Sequence, residues 1–250
     1  MMLRLAAAAI VTLTASASAV PACAQDFFSG NIQSALNTSS ISSLNITRSD
    51  VIDEGRSGAT ARQPNVDRNV DYARVPSPPI AAFRPTPEVT TQVNNRFIDM
   101  MSRGQPGKRD EMAQFIDNGA LRQTFERLMA AYNLAPYNLA DVIAAHYIVL
   151  WEVVHDQVPT PAEIRGTRGR IVFNLARKPQ FRAMSSPQKQ EAAETLKMLS
   201  ALALTNYEDF KRRGDRRGLA GFQATVGNWT RRQGIDLAPL AITDHGFVRR

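Results

Sequence analysis

The stretch "NLADVIAAHYIVLWEVVHDQ", Asn138 to Gln157, constrains the fold more than any other part of the chain. It is apolar on nearly every side, yet it carries two of the three histidines, a glutamate and a tryptophan. From Leu139 to Val154 it falls short of the roughly 20 apolar residues that a membrane-spanning helix needs. At 100° per residue, Asp141, Glu152 and His155 fall within about 60° of one another, and His146 points the opposite way. One narrow polar strip on an otherwise apolar helix predicts the central helix of a bundle, with neighbours on most sides. His146 is expected in the core, and Glu152 and His155 at the rim.

The flanking sequence punctuates further helices. Val89, Val93, Phe97 and Met101 recur every four residues, and Gly104 and Pro106 stop that helix. Met112, Phe115 and Ile116 mark a short second helix ending near Asn118-Gly119. Leu121, Phe125, Leu128, Met129 and Tyr132 make an amphipathic third. Asn138 followed by Asp141 resembles a capping box. Thr160-Pro161 with Glu163 opens the next helix, with a cap, a proline at its first position and an acid in its first turn. Ser186-Pro187 repeats the device before a long helix whose one face carries Leu196, Leu199, Ala203, Tyr207 and Phe210. Leu219, Phe222, Val226 and Trp229 give the last helix, closed at Gly234. The tail "IDLAPLAITDHGFVRR" has patches of period two and is expected to lie extended against the helices. The fold class is therefore all-α, a bundle of about six helices.

The N-terminal third reads differently. Arg4 followed by the apolar run Leu5 to Val20 and by Ala22-Cys23-Ala24 has the form of a secretory signal peptide, cut between Ala24 and Gln25. Cys23 is the only cysteine, so that cut leaves a chain with no disulfide, thiolate or Cys-based metal site. In the alternative, Val20-Pro21-Ala22-Cys23 serves as a lipoprotein box with Cys23 lipidated, although Pro21 sits badly in it. Residues 25–85 show no sustained period and are rich in Ser, Thr and Asn, then in Pro and Arg. Such composition predicts a flexible linker, with short alternations such as Ile41 to Ile46 able to pair as strands. The domain reading is a signal peptide over 1–24, a linker over 25–85 and a helical domain over 86–250. The address that follows is secreted or periplasmic, with no transmembrane helix in the mature chain.

Chemistry-bearing patterns are few. Glu152-Val153-Val154-His155 is a Glu-x-x-His pair, the spacing that di-iron bundles use twice. Only one copy is present, so Glu152 and His155 are weak metal candidates beside the simpler reading of a Glu–His pair at a helix C-terminus. Glu152 beside Trp151 also suggests a glycosidase acid, but no second acid is identifiable. Gly-x-Gly-x-x-Gly, Walker, His-Glu-x-x-His and Gly-x-Ser-x-Gly motifs are all missing. The balance is against an enzyme, and no cofactor is implied. The alternative is a metal-dependent or hydrolytic enzyme centred on Glu152 and His155, with His146 or His245 in support.

Charge is distributed unevenly. The whole chain carries +7, while residues 161–250 hold 17 Lys and Arg against 8 Asp and Glu. Two clusters dominate, Arg165, Arg168 and Arg170, and Lys211, Arg212, Arg213, Arg216 and Arg217. Such clusters are anion-binding candidates beside the reading of a solvated basic face. With a signal peptide ahead of them, the expected partner is an anionic envelope component or another envelope protein, not nucleic acid. The function expected is a non-enzymatic binding or structural role at the cell envelope.

Three pieces together resemble a known family. They are "AYNLAPYNLADVIAAHYIVLWEVV", "PTPAEIRGTRGRI" and the ending "GIDLAPLAITDHGFVRR", in which Gly234-Ile235-Asp236-Leu237, Leu240, Thr243-Asp244 and Gly246-Phe247 carry most of the likeness. The resemblance is to a family of secreted bacterial proteins of unknown function with a helical C-terminal domain, DUF6683-like, over roughly Pro87 to Arg250. It implies the address and the helical fold and carries no catalytic residue.

Overall fold

A computed structural model of the chain describes residues 46–53, 70–103 and 106–250. The stretch read as a signal peptide, Cys23, the Ala24–Gln25 junction and Gly104 lie outside the described residues. Among those described, the α-helices are α1 (Arg48–Val51), α2 (Pro87–Met101), α3 (Arg109–Asp117), α4 (Ala120–Ala131), α5 (Leu139–His155), α6 (Pro161–Ala176), α7 (Pro179–Ala183), α8 (Ser186–Arg213) and α9 (Arg216–Arg232). Three short strands, β1 (Ile52–Asp53), β2 (Leu240–Thr243) and β3 (Gly246–Arg249), complete the molecule.

The fold is an all-α bundle built around α5. Every residue from Leu139 to Val153 is buried, as expected of a helix with almost no polar face. The long helix α8 packs along it, α6 and α9 flank it, and α4 and α2 pack on α8. The capping signals are realised with two corrections. Thr160 and Glu163 form the full reciprocal box at the start of α6. At α5, the Asn138 side chain accepts from the Asp141 amide, but the Asp141 carboxylate does not reach back, because Ser77, the Ala135 amide and Arg168 occupy it. At α8 the cap is Ser185, one residue earlier than read; the Ser186 hydroxyl instead accepts from the Arg84 amide.

The tail expected to lie extended forms the β2–β3 hairpin, paired Leu240↔Arg249 through Thr243↔Gly246. Gly246 takes a φ of +115°, a conformation that favours glycine. On its other edge β3 pairs in parallel with β1, Ile52↔Phe247 and Asp53↔Val248, so the sheet order is β1-β3-β2.

The stretch assigned by composition to the linker, 25–85, thus contributes two packed segments. Val51 and Ile52 are buried beside Phe247, and Tyr72, Ala81 and Phe83 are buried further along. Residues 70–85 run as a strap from the middle of α6, at Arg168 and Gly169, to the N-terminal end of α5. Its carbonyls and hydroxyls are matched by fixed donors: the Arg168 guanidinium donates to Val75 O and Ser77, and the Asn138 amide to Pro78 O at 3.0 Å. Periodicity could not reveal this, because the strap is held by its backbone and not by a repeating apolar face.

The helix α6 meets these segments through glycines. A Cβ on Gly169 would lie 1.7 Å from Tyr72 O, and one on Gly166 would lie 1.7 Å from Asp244 O. Only a side chain of hydrogen lets the strap and the hairpin turn approach so closely.

Candidate functional site

The side chains singled out from the sequence do not share a common space. Glu152 and His155 both lie on the last turns of α5, yet each faces a different neighbour. The Glu152 carboxylate accepts from the Tyr132 hydroxyl at 3.2 Å, at the C-terminal end of α4. Glu152 is 6% exposed, so it is buried and not the rim residue that the helical wheel suggested. His155 stacks on Trp151, ring centroids 4.5 Å apart. Its ring nitrogens lie 3.0 Å from Trp151 O and 3.2 Å from Ala238 O. Among the described residues, no three His, Cys, Asp or Glu side chains are close enough to hold a metal together.

His146 lies in the core, as read. Its Nδ1 is 2.7 Å from Ser200 Oγ, and that hydroxyl donates to Leu196 O at 2.7 Å. With the serine proton so engaged, Nδ1 donates to Ser200. Burial pushes the imidazole down to about 3, so it is neutral. Tyr147 and Trp229 cover its ring edge-on. Ser200 is fully buried, which denies this serine–histidine pair any role as a nucleophile and base.

The basic clusters separate as well. Arg168 donates to Asp141 at 2.7 Å as well as to the strap, and Arg170 lies over the Tyr72 ring at 5.2 Å. Of the first cluster Arg165 alone is exposed. In the second, Lys211 bonds Asp156 at 2.9 Å, and Arg212 and Arg213 share Asp209. Arg216 and Arg217 are exposed in the first turn of α9.

Two constellations, one largely buried and one opening to the surface, escaped the sequence reading. The first is a polar ladder linking α2, α4 and α8. Arg122 meets Glu194 at 3.2 Å, and Lys197, 1% exposed at its side chain, meets Glu126 at 2.6 Å. Lys197 also lies under the Tyr137 ring at 5.1 Å. Burial pulls its ammonium below the usual lysine value. Gln190 clamps the start of α2 through both its amide atoms, accepting from Thr86 N at 2.9 Å and donating to Thr86 O at 2.8 Å. The signal in sequence was the polar series Gln190, Glu194, Lys197, which recurs at helical spacing on a long helix read only for its apolar face. The second constellation gathers Tyr132, Glu152, Asp156, Tyr207, Glu208 and Lys211 where α4, α5 and α8 meet. Tyr207 donates to Asp156, which holds that carboxyl below its usual range with help from Lys211.

The geometry defines a class: a helical domain closed by a small sheet that joins residues 52–53 to the hairpin after α9, with its ionisable groups in separate contacts. The sequence model of a family of unknown function (DUF6683) matches residues 2–250. The chain belongs to that family, and the match extends through the N-terminal third, beyond the stretch in which the resemblance was read. No curated protein and no solved structure matches it. No described helix is long and apolar enough to cross a membrane.

Proposed function

We propose that the chain is a non-enzymatic binding or structural domain of the cell envelope, delivered by its N-terminal leader. The observation that carries this reading is the dispersal of Glu152, His155 and His146 into three unrelated contacts. An enzyme centred on Glu152 and His155 needs them to converge on a substrate or metal. The exposed Arg165, Arg216 and Arg217 remain available to an anionic envelope component, whereas Arg168 and Arg170 are committed to packing.

The test is co-sedimentation of the mature chain with phosphatidylglycerol vesicles and, separately, with phosphatidylcholine vesicles at about 0.1 M salt. The expected result is retention by the anionic vesicles alone, released by added salt and weakened by the double change Arg216→Gln and Arg217→Gln. Protein left in the supernatant with both vesicles sinks the anionic-partner reading. Stoichiometric Fe, Mn or Zn in the purified protein, lost on Glu152→Gln, promotes the enzyme.

A further inference from the structure

Four acids are buried among the described residues: Asp50, Asp141, Glu152 and Glu194. Three of them have a cation in contact. Asp50 has Lys178, Asp141 has Arg168 and Glu194 has Arg122. Glu152 is the exception, with the Tyr132 hydroxyl at 3.2 Å as its hydrogen bond. The cation that acts on it, Lys211, is held elsewhere, 2.9 Å from Asp156 and 2.9 Å from the Tyr207 hydroxyl. Two further carboxylates, Glu208 from α8 and Asp156 from the end of α5, add repulsion. From α9 the neighbouring group is the neutral Gln223 amide, which donates to Val153 O. The site therefore accepts a neutral carboxyl and penalises a charged one, since a buried charge without a partner is costly.

We infer that Glu152 is a proton-operated latch: protonated, it stays buried at the corner of α4, α5 and α8; ionised, it carries a charge with no cation in contact, turns outward and loosens the corner. The proton goes to solvent, and the hydrogen bond from Tyr132, which favours the ionised form, is given up in the opening. The opening has a place to occur. Tyr132 is the last residue of the α4 turn, and Asn133 after it stands at φ +54° before the connection to α5. Burial is the main cause that lifts the Glu152 carboxyl, to about 7, with Glu208 and Asp156 adding to it and the Tyr132 hydrogen bond and Lys211 opposing. Ionisation thus falls where the surroundings of an envelope protein vary in pH. The device is independent of what the domain binds.

The experiment uses the full mature chain. Amide hydrogen exchange at residues 132–135 and at Tyr137, expressed as protection relative to the intrinsic rate at each pH, is followed from pH 5 to 9. The expected result is a transition centred near neutrality, with protection at these residues lost on its alkaline side beyond the intrinsic rise in exchange rate with pH. Glu152→Gln, neutral and of the same shape, removes the transition and keeps the corner protected throughout. Glu208→Gln moves the midpoint to lower pH by removing a like charge. An unchanged transition in Glu152→Gln overturns the latch. So does a Glu152 carboxyl signal that titrates below about pH 5, the range of an unperturbed glutamate.

Discussion

Glu152 and His146 lie less than two turns apart on α5 and pull the pH dependence of stability in opposite directions. The folded chain holds the Glu152 proton up to about pH 7, against roughly 4.3 unfolded. Its contribution is complete below the unfolded value and is lost as pH rises through the folded one. His146 is neutral down to about 3 in the folded chain, against roughly 6.5 unfolded. Its contribution is complete above that unfolded value and is lost as pH falls toward the folded one. Between about pH 4.3 and 6.5 the two slopes oppose and nearly cancel. Replacing Glu152 with glutamine removes one of them, so the variant's stability rises through this window. Relative to the wild type it gains up to about 3 kcal/mol between pH 4 and 8, at roughly 1.4 kcal/mol per pKa unit. Urea unfolding at a series of pH values measures this, and a variant profile parallel to the wild type contradicts it. The sequence placed His146 correctly because an apolar surround on its own helix was enough to bury it. It misplaced Glu152 because the group that covers it, Tyr132, comes from a different helix, and a helical wheel holds no information about what sits opposite.

At the scale of elements, α5 and α6 make contrasting demands. On α5 volume decides: Leu150 is fully buried, and Leu150→Ala is expected to cost about 2–5 kcal/mol. On α6 the absence of volume decides. Gly169→Ala drives a methyl group into the Tyr72 carbonyl and is expected to cost about 1–3 kcal/mol or more. Gly221 on α9 is the control, since a Cβ there meets nothing within 4 Å. Gly221→Ala should be neutral or should stabilise by up to about 1 kcal/mol through helix propensity. Thermal melts of the three variants rank them, and a Gly169→Ala variant as stable as Gly221→Ala removes the close-approach account of α6. The helices were legible because caps and spacing are local signals. The role of "GTRGR" was not. Its arginines read as a basic cluster, whereas the glycines between them mark the face against which two distant segments lie, and the arginine between those glycines anchors one of them.

Across the whole molecule, the two described segments ahead of α2, residues 46–53 and 70–85, belong to the packed structure. Val51, Ile52, Tyr72, Ala81 and Phe83 are buried against the body. A fragment starting at Pro87 is therefore expected to melt well below one starting at Ile46. Equal melting temperatures by calorimetry would return 46–53 and 70–85 to the status of a linker. Composition could not separate these segments from a tether, because their fit depends on partners that lie up to the far end of the chain, Phe247 above all. That pairing also orders events in time. The entropy lost in closing a loop grows with its length, and β1 and β3 enclose almost the entire described chain for two residue pairs. A nascent chain that leaves the ribosome N-terminus first has made all the described helices before β3 exists. Ile52 and Asp53 wait for their strand partner until then, and residues made late complete the seat of the first that the structure describes.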